Sequence, residues 1–274
     1  MSTNLNFYQN KIKEMWPNDE CILEEFNFFI KEKLGKDAIA IFIDNPILSN
    51  KDIKEIEYFL NQKGKGVPID YILNESSFYR DSFYVDNRVL IPRPETEILV
   101  DFINNLKLKP GSKIIDAGVG SGCIGISIAK YNPDLNVYGA DYSYDALTVA
   151  QINKKKLRVE NFYLINTNWL NPFNKKTFDL IVSNPPYISK SDPHLEDLKH
   201  EPYDALVSGT EGLENFKLIT YQASQVLKDD GLLCFEHGYD QSESIKEIMM
   251  MNNFKDIRTI FDNQSLPRIT LGKI

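Results

Sequence analysis

The decapeptide Phe178-Asp-Leu-Ile-Val-Ser-Asn-Pro-Pro-Tyr187 holds the groups best suited to grip a planar amino group. Leu180 to Ser183 read as a short buried strand that must stop at Asn184, because two successive prolines neither continue a helix nor donate to a ladder. Pro185 and Pro186 bring no N–H, so the strand end offers acceptors: the Asn184 side-chain oxygen and the Pro185 carbonyl. An NH₂ on an sp² carbon carries two donors and a delocalised lone pair. Two acceptors holding both hydrogens fix where its nitrogen points, and Tyr187 can cover the flat face of the group. Taken alone, the same tetrapeptide is equally a proline-rich turn after a core strand, so its neighbours decide.

The second constellation is Asp116-Ala-Gly-Val-Gly-Ser-Gly122. Glycines at 118, 120 and 122 let backbone approach a ligand where a side chain would collide. A dinucleotide fingerprint would need a further glycine where Cys123 stands, so pyrophosphate binding is poorly supported. The pattern suits a nucleoside without phosphates. Asp141, closing the next strand, can accept from two ribose hydroxyls, and the acid before the glycines suits a cationic ligand such as a sulfonium amino acid. In open α/β sheets ligands lie outside the carboxyl ends of the strands, where chain order reverses, so the two constellations should adjoin.

The elements that must position them follow from periodicity. From about Asn4 to Leu73 apolar residues recur at helical spacing, as in Ile22, Phe26, Phe29, Ile30 and in Ile53, Ile56, Phe59, Leu60. Asp19 and Ser49 or Asn50 stand as caps, Gly35 and Gly64 as ends, and the aromatics Phe26, Phe28, Phe29, Phe42, Tyr58 and Phe59 as core, although Phe28 falls off the main stripe. This predicts a helical bundle over residues 1–74. Alternation over Phe78–Val85 and Arg88–Ile91, with Asp86-Asn87 turning, predicts a hairpin linker over 75–92. Residues 93–274 open on a helix after Pro92-Arg93-Pro94, which is either a rigid connector or a substrate contact. Strands then alternate with helices: Lys113–Asp116, Val137–Asp141, Asn161–Asn166, Leu180–Ser183, Gly231–Glu236, and a closing pair over Phe254–Phe261 and Arg268–Gly272.

Bulk properties narrow the function. The net charge of -8 argues against a protein living on nucleic-acid phosphates and points to a protein or small-molecule substrate. Cys21, Cys123 and Cys234 are scattered without disulfide or zinc spacing, which suits a reducing cytoplasm. No run spans a bilayer and the first residues carry no signal pattern, so the expectation is a cytoplasmic protein with no membrane partner.

With these residues placed, the chain resembles the peptide chain release factor N5-glutamine methyltransferases, class I enzymes dependent on S-adenosyl-L-methionine. The resemblance runs from about Gly66 to the C-terminus. It is carried by Gly66-Val-Pro-Ile-Asp-Tyr-Ile72, Leu90-Ile-Pro-Arg-Pro-Glu-Thr-Glu97, the glycine turn, Ser183-Asn-Pro-Pro-Tyr-Ile188, His200-Glu-Pro-Tyr-Asp-Ala-Leu206, Gly212-Leu213 and Glu236-His-Gly238. It implies an α/β fold: a Rossmann-like class I methyltransferase sheet with helices on both faces, plus the helical bundle as a release-factor-recognition domain. By motif position it implies that Gly118, Val119, Gly120, Ser121 and Gly122 line the cofactor, Asp141 holds its ribose, and Trp169 lies beside adenine. Asn184, Pro185, Pro186 and Tyr187 would bind the glutamine amide of a Gly-Gly-Gln motif, with Asn184 also touching the cofactor. The chain departs from the family at Val119 for threonine, Asn168 for an acid, Asn74 for glycine, and in a stretched Asp262-to-Arg268 segment.

Under this reading no metal and no strong base are needed. His194, His200 and His237 read as satisfied loop or strand-end histidines and Glu236 as structural. Two other readings share part of the pattern. A nucleic-acid amino methyltransferase acting on adenine or guanine would use the same two acceptors but would want a basic face. A non-catalytic nucleoside-binding module would explain the glycines and leave Asn-Pro-Pro-Tyr without a purpose.

Overall fold

A computed structural model describes residues 4–35, 45 and 47–274. It divides the chain into two units, Met1–Glu75 and Ser76–Ile274. The first contains α1 (Leu5–Met15), α2 (Glu20–Leu34), α3 (Asn50–Gly64) and α4 (Ile69–Leu73). Asp19 caps α2 by accepting from the Ile22 N–H, and Ser49 caps α3 in a reciprocal box with Asp52. Gly35 closes α2 at a φ of 62°. Ile22, Phe26, Phe29, Ile30, Ile56, Phe59 and Leu60 form its core, with Ile53 packed at the edge. Neither Tyr58 nor Phe28 is core: both lie on outer helix faces, each 48% exposed. Phe42 lies outside the described residues. Asn74 ends α4 at a φ of 55°, a conformation asparagine tolerates nearly as glycine does.

The second unit begins with a two-stranded ribbon, β1 (Ser76–Phe78) and β2 (Asp81–Phe83), turning at Tyr79-Arg80. The predicted pairing across Asp86-Asn87 does not form. Asp86 accepts from the Arg88 N–H (3.1 Å) and from its Nε (2.9 Å), folding the chain locally, and the Ile91 N–H goes to Glu201 (3.0 Å) instead of a strand. After α5 (Thr96–Asn104) come β3 (Lys113–Ala117), α6 (Cys123–Tyr131), β4 (Asn136–Asp141), α7 (Tyr144–Leu157), β5 (Phe162–Asn166) and β6 (Phe178–Ser183). Then follow α8 (Tyr203–Leu206), α9 (Glu214–Val226), β7 (Leu227–Glu236), α10 (Ser242–Met251), β8 (Lys255–Phe261) and β9 (Pro267–Lys273).

Seven strands form one sheet in the order β5-β4-β3-β6-β7-β9-β8, parallel except where β9 pairs antiparallel with β7 and β8. The α/β reading therefore holds. Strands β3 and β6 are apolar almost throughout because both faces are covered. Ile114, Leu180 and Val182 face a core shared with α5, α6 and α7, while Ile115, Ile181 and Leu233 face α9 and α10. The chain runs outward from β3 to β5, then returns to β6 on the other side of β3, so chain order reverses between β3 and β6.

The glycine turn is held from beneath. A methyl group at Gly139 on β4 would stand 2.6 Å from the ring of the buried Phe162 and 2.7 Å from Val119. Gly139→Ala should therefore cost about 1–3 kcal/mol of stability in urea unfolding, as overpacking does. An unchanged midpoint would mean that the Phe162 ring has room to yield.

Candidate active site

Beyond the carboxyl ends of β3, β4 and β6 lies a cavity of about 490 Å³. Its walls are the glycine turn, the loop after β4, Trp169, the loop from Asn87 to Thr96, the start of the Asn-Pro-Pro-Tyr loop, and Pro202 with Asp204 and Ala205. The β3–β6 register pairs Asp116 with Val182, and the buried Ser183 hydroxyl donates to the Ala117 carbonyl at 2.5 Å. The two loops therefore start side by side.

Gly118, Val119, Gly120 and Ser121 line the cavity, whereas Gly122 does not. Gly120 has a φ of 51°, and a Cβ there would meet nothing within 4 Å, so its backbone is open to a ligand. Gly118 packs under Trp169, where a Cβ would be 3.0 Å from the indole ring. Gly122 serves packing: at a φ of 84° it caps α6, and a Cβ would stand 2.7 Å from Ile126. The buried Asn153 ties this turn to the segment after the ribbon. It accepts from the Tyr84 N–H at 2.6 Å and donates to the Tyr84 and Ser121 carbonyls at 2.9 and 2.8 Å.

Asp141 lines the cavity with each oxygen already holding one backbone N–H, from Gly120 at 3.0 Å and Ser143 at 2.9 Å. A carboxylate offers about four acceptor sites, so two hydroxyls can still be received. Burial raises its pKa against these hydrogen bonds. Asp116 accepts from the Gly125 N–H at 2.9 Å, while its other oxygen is buried with no partner among the described residues, and burial pushes its pKa up to about 8. Asp116 does not line the cavity and supports the turn from within, whereas Asp141, with acceptor sites left over beside the open Gly120 backbone, suits the sugar hydroxyls that S-adenosyl-L-methionine supplies.

Asn184 and Pro186 face the cavity; Pro185 is buried behind them. The Pro186 carbonyl accepts from Asn215 and the Tyr187 carbonyl from Gln241, whereas no described residue donates to the Pro185 carbonyl. Gly212 makes this packing possible, since a Cβ there would stand 2.2 Å from the Tyr187 carbonyl. The Tyr187 side chain is not part of the cavity wall. It packs on the core under α9 and α10, and burial pushes its phenol up to about 12.

The structure also brings in groups whose role the sequence left open. Arg93 lines the cavity and pairs with the buried Glu201, so Pro92-Arg93-Pro94 is more than a connector. Thr96 lines it too and donates to the buried Glu236 at 3.0 Å, whose pKa burial pushes up to about 7. Both belonged to quoted stretches, but only the fold joins them. Cys123 is in the wall, yet burial pushes its thiol up to about 12, which favours the protonated form at neutral pH. His237 is fully buried with Nδ1 on the Gly238 carbonyl and Nε2 on Thr270, and burial lowers its pKa. His194 is exposed beside Asp192. Asn168 is exposed and outside the cavity wall. The stretched C-terminal segment still joins its ends, with Arg268 Nε donating to Asp262 at 2.9 Å.

A sheet of this order with a glycine turn and Asn-Pro-Pro-Tyr at adjacent strand ends defines a methyltransferase, and the model of the methyltransferase small domain family matches residues 95–209. A methyltransferase from Pyrococcus furiosus shares the fold, with a TM-score of 0.52 at 14% identity over 80% of this chain and 98% of that one. The chain belongs to the release factor glutamine methyltransferase family. It is 37% identical to the member from Coxiella burnetii, over 82% of each chain. It is 36% identical to the member from Buchnera aphidicola, over 98% of this chain and 99% of the relative.

The buried acids predict a pH signature. Between the ordinary carboxyl value of 3.8 and about 8, folded Asp116 binds more protons than unfolded Asp116, so its contribution to stability falls as pH rises through that window. Asp116→Asn should keep the Gly125 hydrogen bond and remove this loss. Its Tm should rise relative to the unliganded wild type between pH 4 and pH 8; parallel Tm curves would contradict the raised pKa.

Proposed function

We infer that this protein transfers the methyl group of S-adenosyl-L-methionine to the side-chain amide nitrogen, N5, of the glutamine in the Gly-Gly-Gln motif of peptide chain release factors. The observation that carries this reading is the adjacency of Asn184 and the glycine turn on one cavity. When bound, S-adenosyl-L-methionine supplies an electrophilic methyl group on a positively charged sulfur. In this proposal the backbone of Gly118 to Ser121 lies against the cofactor, Asp141 accepts from its ribose hydroxyls, and Trp169 lies beside its adenine. Gly122 and Tyr187 support the site from behind.

An amide nitrogen is a weak nucleophile because its lone pair is shared with the carbonyl. Asn184 and Pro185 would accept its two hydrogens and so aim the nitrogen, and such alignment is worth up to ~7–11 kcal/mol when ideal. Their value grows as the nitrogen gains positive charge on the way to the transition state. A release factor as substrate places the reaction in the cytoplasm, with no part for a membrane. No described helix is long and apolar enough to cross one.

Asn184→Ala should slow single-turnover transfer to a purified release factor by about 10²–10³, with cofactor affinity little changed. Asp141→Ala should do the reverse, weakening cofactor binding by calorimetry. The product is read by mass spectrometry, with duplex DNA as the competing acceptor. Wild-type transfer by Asn184→Ala, or methylated DNA in place of release factor, would sink the assignment.

We also propose that residues 1–74 form the element that recognises the release factor, with residues 75–92 leading into the methyltransferase domain. Support comes from the outward aromatics Phe28 and Tyr58, which the core of this unit does not use. Replacing both by serine should raise KM for the intact factor with kcat unchanged. An unaltered KM would clear that surface of a role.

A further inference from the structure

A side-chain amide can present either its oxygen or its nitrogen, and the proposed grip works only if Asn184 turns its oxygen to the cavity. The hydrogen bonds behind it decide which. Asn184 Nδ2 lies 3.4 Å from Thr96 Oγ1, and Thr96 Oγ1 lies 3.0 Å from Glu236 Oε1. Thr96 is 2% exposed and Glu236 3%, so water does not compete. A threonine hydroxyl has one proton, and Glu236 in its ionised form, held above about pH 7, can only accept. With that proton on Glu236, Thr96 has only lone pairs left for its other neighbour. Asn184 must therefore face Thr96 with its NH₂. The second oxygen of Glu236 has no partner among the described residues, so the Thr96 hydroxyl is the direct donor to this carboxyl.

We propose that Thr96 and Glu236 are positioning residues for methyl transfer, forming a one-way chain from Asn184 to Thr96 to Glu236 that holds the Asn184 oxygen toward the cavity. This rests on the reading of Asn184 as the acceptor of the substrate amide. Glu236 does not line the cavity, and it acts on the reaction only through this chain. The elements are rigid ones. Thr96 is the first residue of α5, Glu236 the last of β7, and Asn184 follows β6 directly.

The test is a double-mutant cycle on single-turnover transfer to release factor, run above pH 7 so that Glu236 is ionised, with cofactor affinity measured separately. Thr96→Val keeps the shape and removes the hydroxyl. It should slow transfer about tenfold, the scale of one net hydrogen bond, with KM for release factor unchanged. Thr96→Ser keeps the hydroxyl and should stay within about twofold of wild type. In an Asn184→Ala background Thr96→Val should cost nothing further, because its effect passes through Asn184. A structural role, or a direct contact with the cofactor, would instead subtract the same factor in both backgrounds and overturn the proposal. So would wild-type transfer by Thr96→Val beside an impaired Asn184→Ala, a result that leaves the active-site reading standing. Wild-type transfer by Asn184→Ala would overturn both. Should Thr96→Val lose cofactor binding, the cycle is run with Glu236→Gln. Its amide can donate to Thr96 and free the hydroxyl to turn toward Asn184, so transfer should slow severalfold, again only where Asn184 is present. An equal loss in both backgrounds overturns the proposal here too.

Discussion

The pairing of β3 with β6 is the interaction on which the rest of this site depends. Parallel strands end on the same side, so pairing Asp116 with Val182 sends the glycine turn and the Asn-Pro-Pro-Tyr loop out from one edge. The Ser183 hydroxyl, bonded to the Ala117 carbonyl, fixes the two strand ends against slip where the loops part. The register is over-determined. A shift of one residue would exchange Ile114 for Ile115 and Leu180 for Ile181 between two cores that are both filled. Reactant geometry is therefore set by the most buried part of the sheet, and the loops inherit it.

Placing acids at that edge has a cost that the fold carries. Asp116, Asp141 and Glu236 each lie at or near the end of a parallel strand, and burial raises the pKa of all three. Desolvated carboxyls weaken a folded chain at neutral pH unless a positive charge or a donor meets them. Among the described residues Asp141 has donors, Glu236 has one hydroxyl, and Asp116 has one backbone N–H and an oxygen without a partner. Of the three only Asp141 lines the cavity, so it is there that a bound ligand would offset the cost of burial, and there that ligand affinity and unliganded stability are opposed.

Most of the sheet was legible because its strands are short, apolar and bounded by glycine, proline or acid. Predicted strand limits fall within a residue or two of the structure except at Gly231, where β7 begins four residues earlier, at Leu227. The glycine turn and Asn-Pro-Pro-Tyr were legible as motifs. What failed was the fate of individual side chains. The hairpin was misplaced because alternation cannot reveal that Asp86 would capture Arg88. Tyr58 was assigned to the core though it sits on the outer face of α3. Tyr187 reads from sequence as a cover for the flat face of the amide, and the structure packs its ring on the core under α9 and α10, since aromatic type says nothing of which side of a loop the ring takes. The Thr96–Glu236 contact spans 140 residues, and no local spacing encodes it.

Three groups near the site are poorly suited to act as a base: His237 has both ring nitrogens occupied, and burial pushes the phenol of Tyr187 and the thiol of Cys123 up to about 12. For an amide this costs nothing, because its nitrogen gains its acidity only as the new bond to carbon forms; a strong base acting earlier would have no proton it could remove at neutral pH. In the proposed reaction the useful groups would be neutral acceptors set before positive charge develops, needing no reorganisation as it does. The side-chain amide of Asn184, which lines the cavity, suits that part, and the Pro185 carbonyl is proposed to share it. A carboxylate in the place of Asn184 would attract the charge more strongly, but it would stand beside Glu236 with the single Thr96 proton between two acids. One of them would take up a proton, and the orientation that the amide receives from Thr96 would be lost.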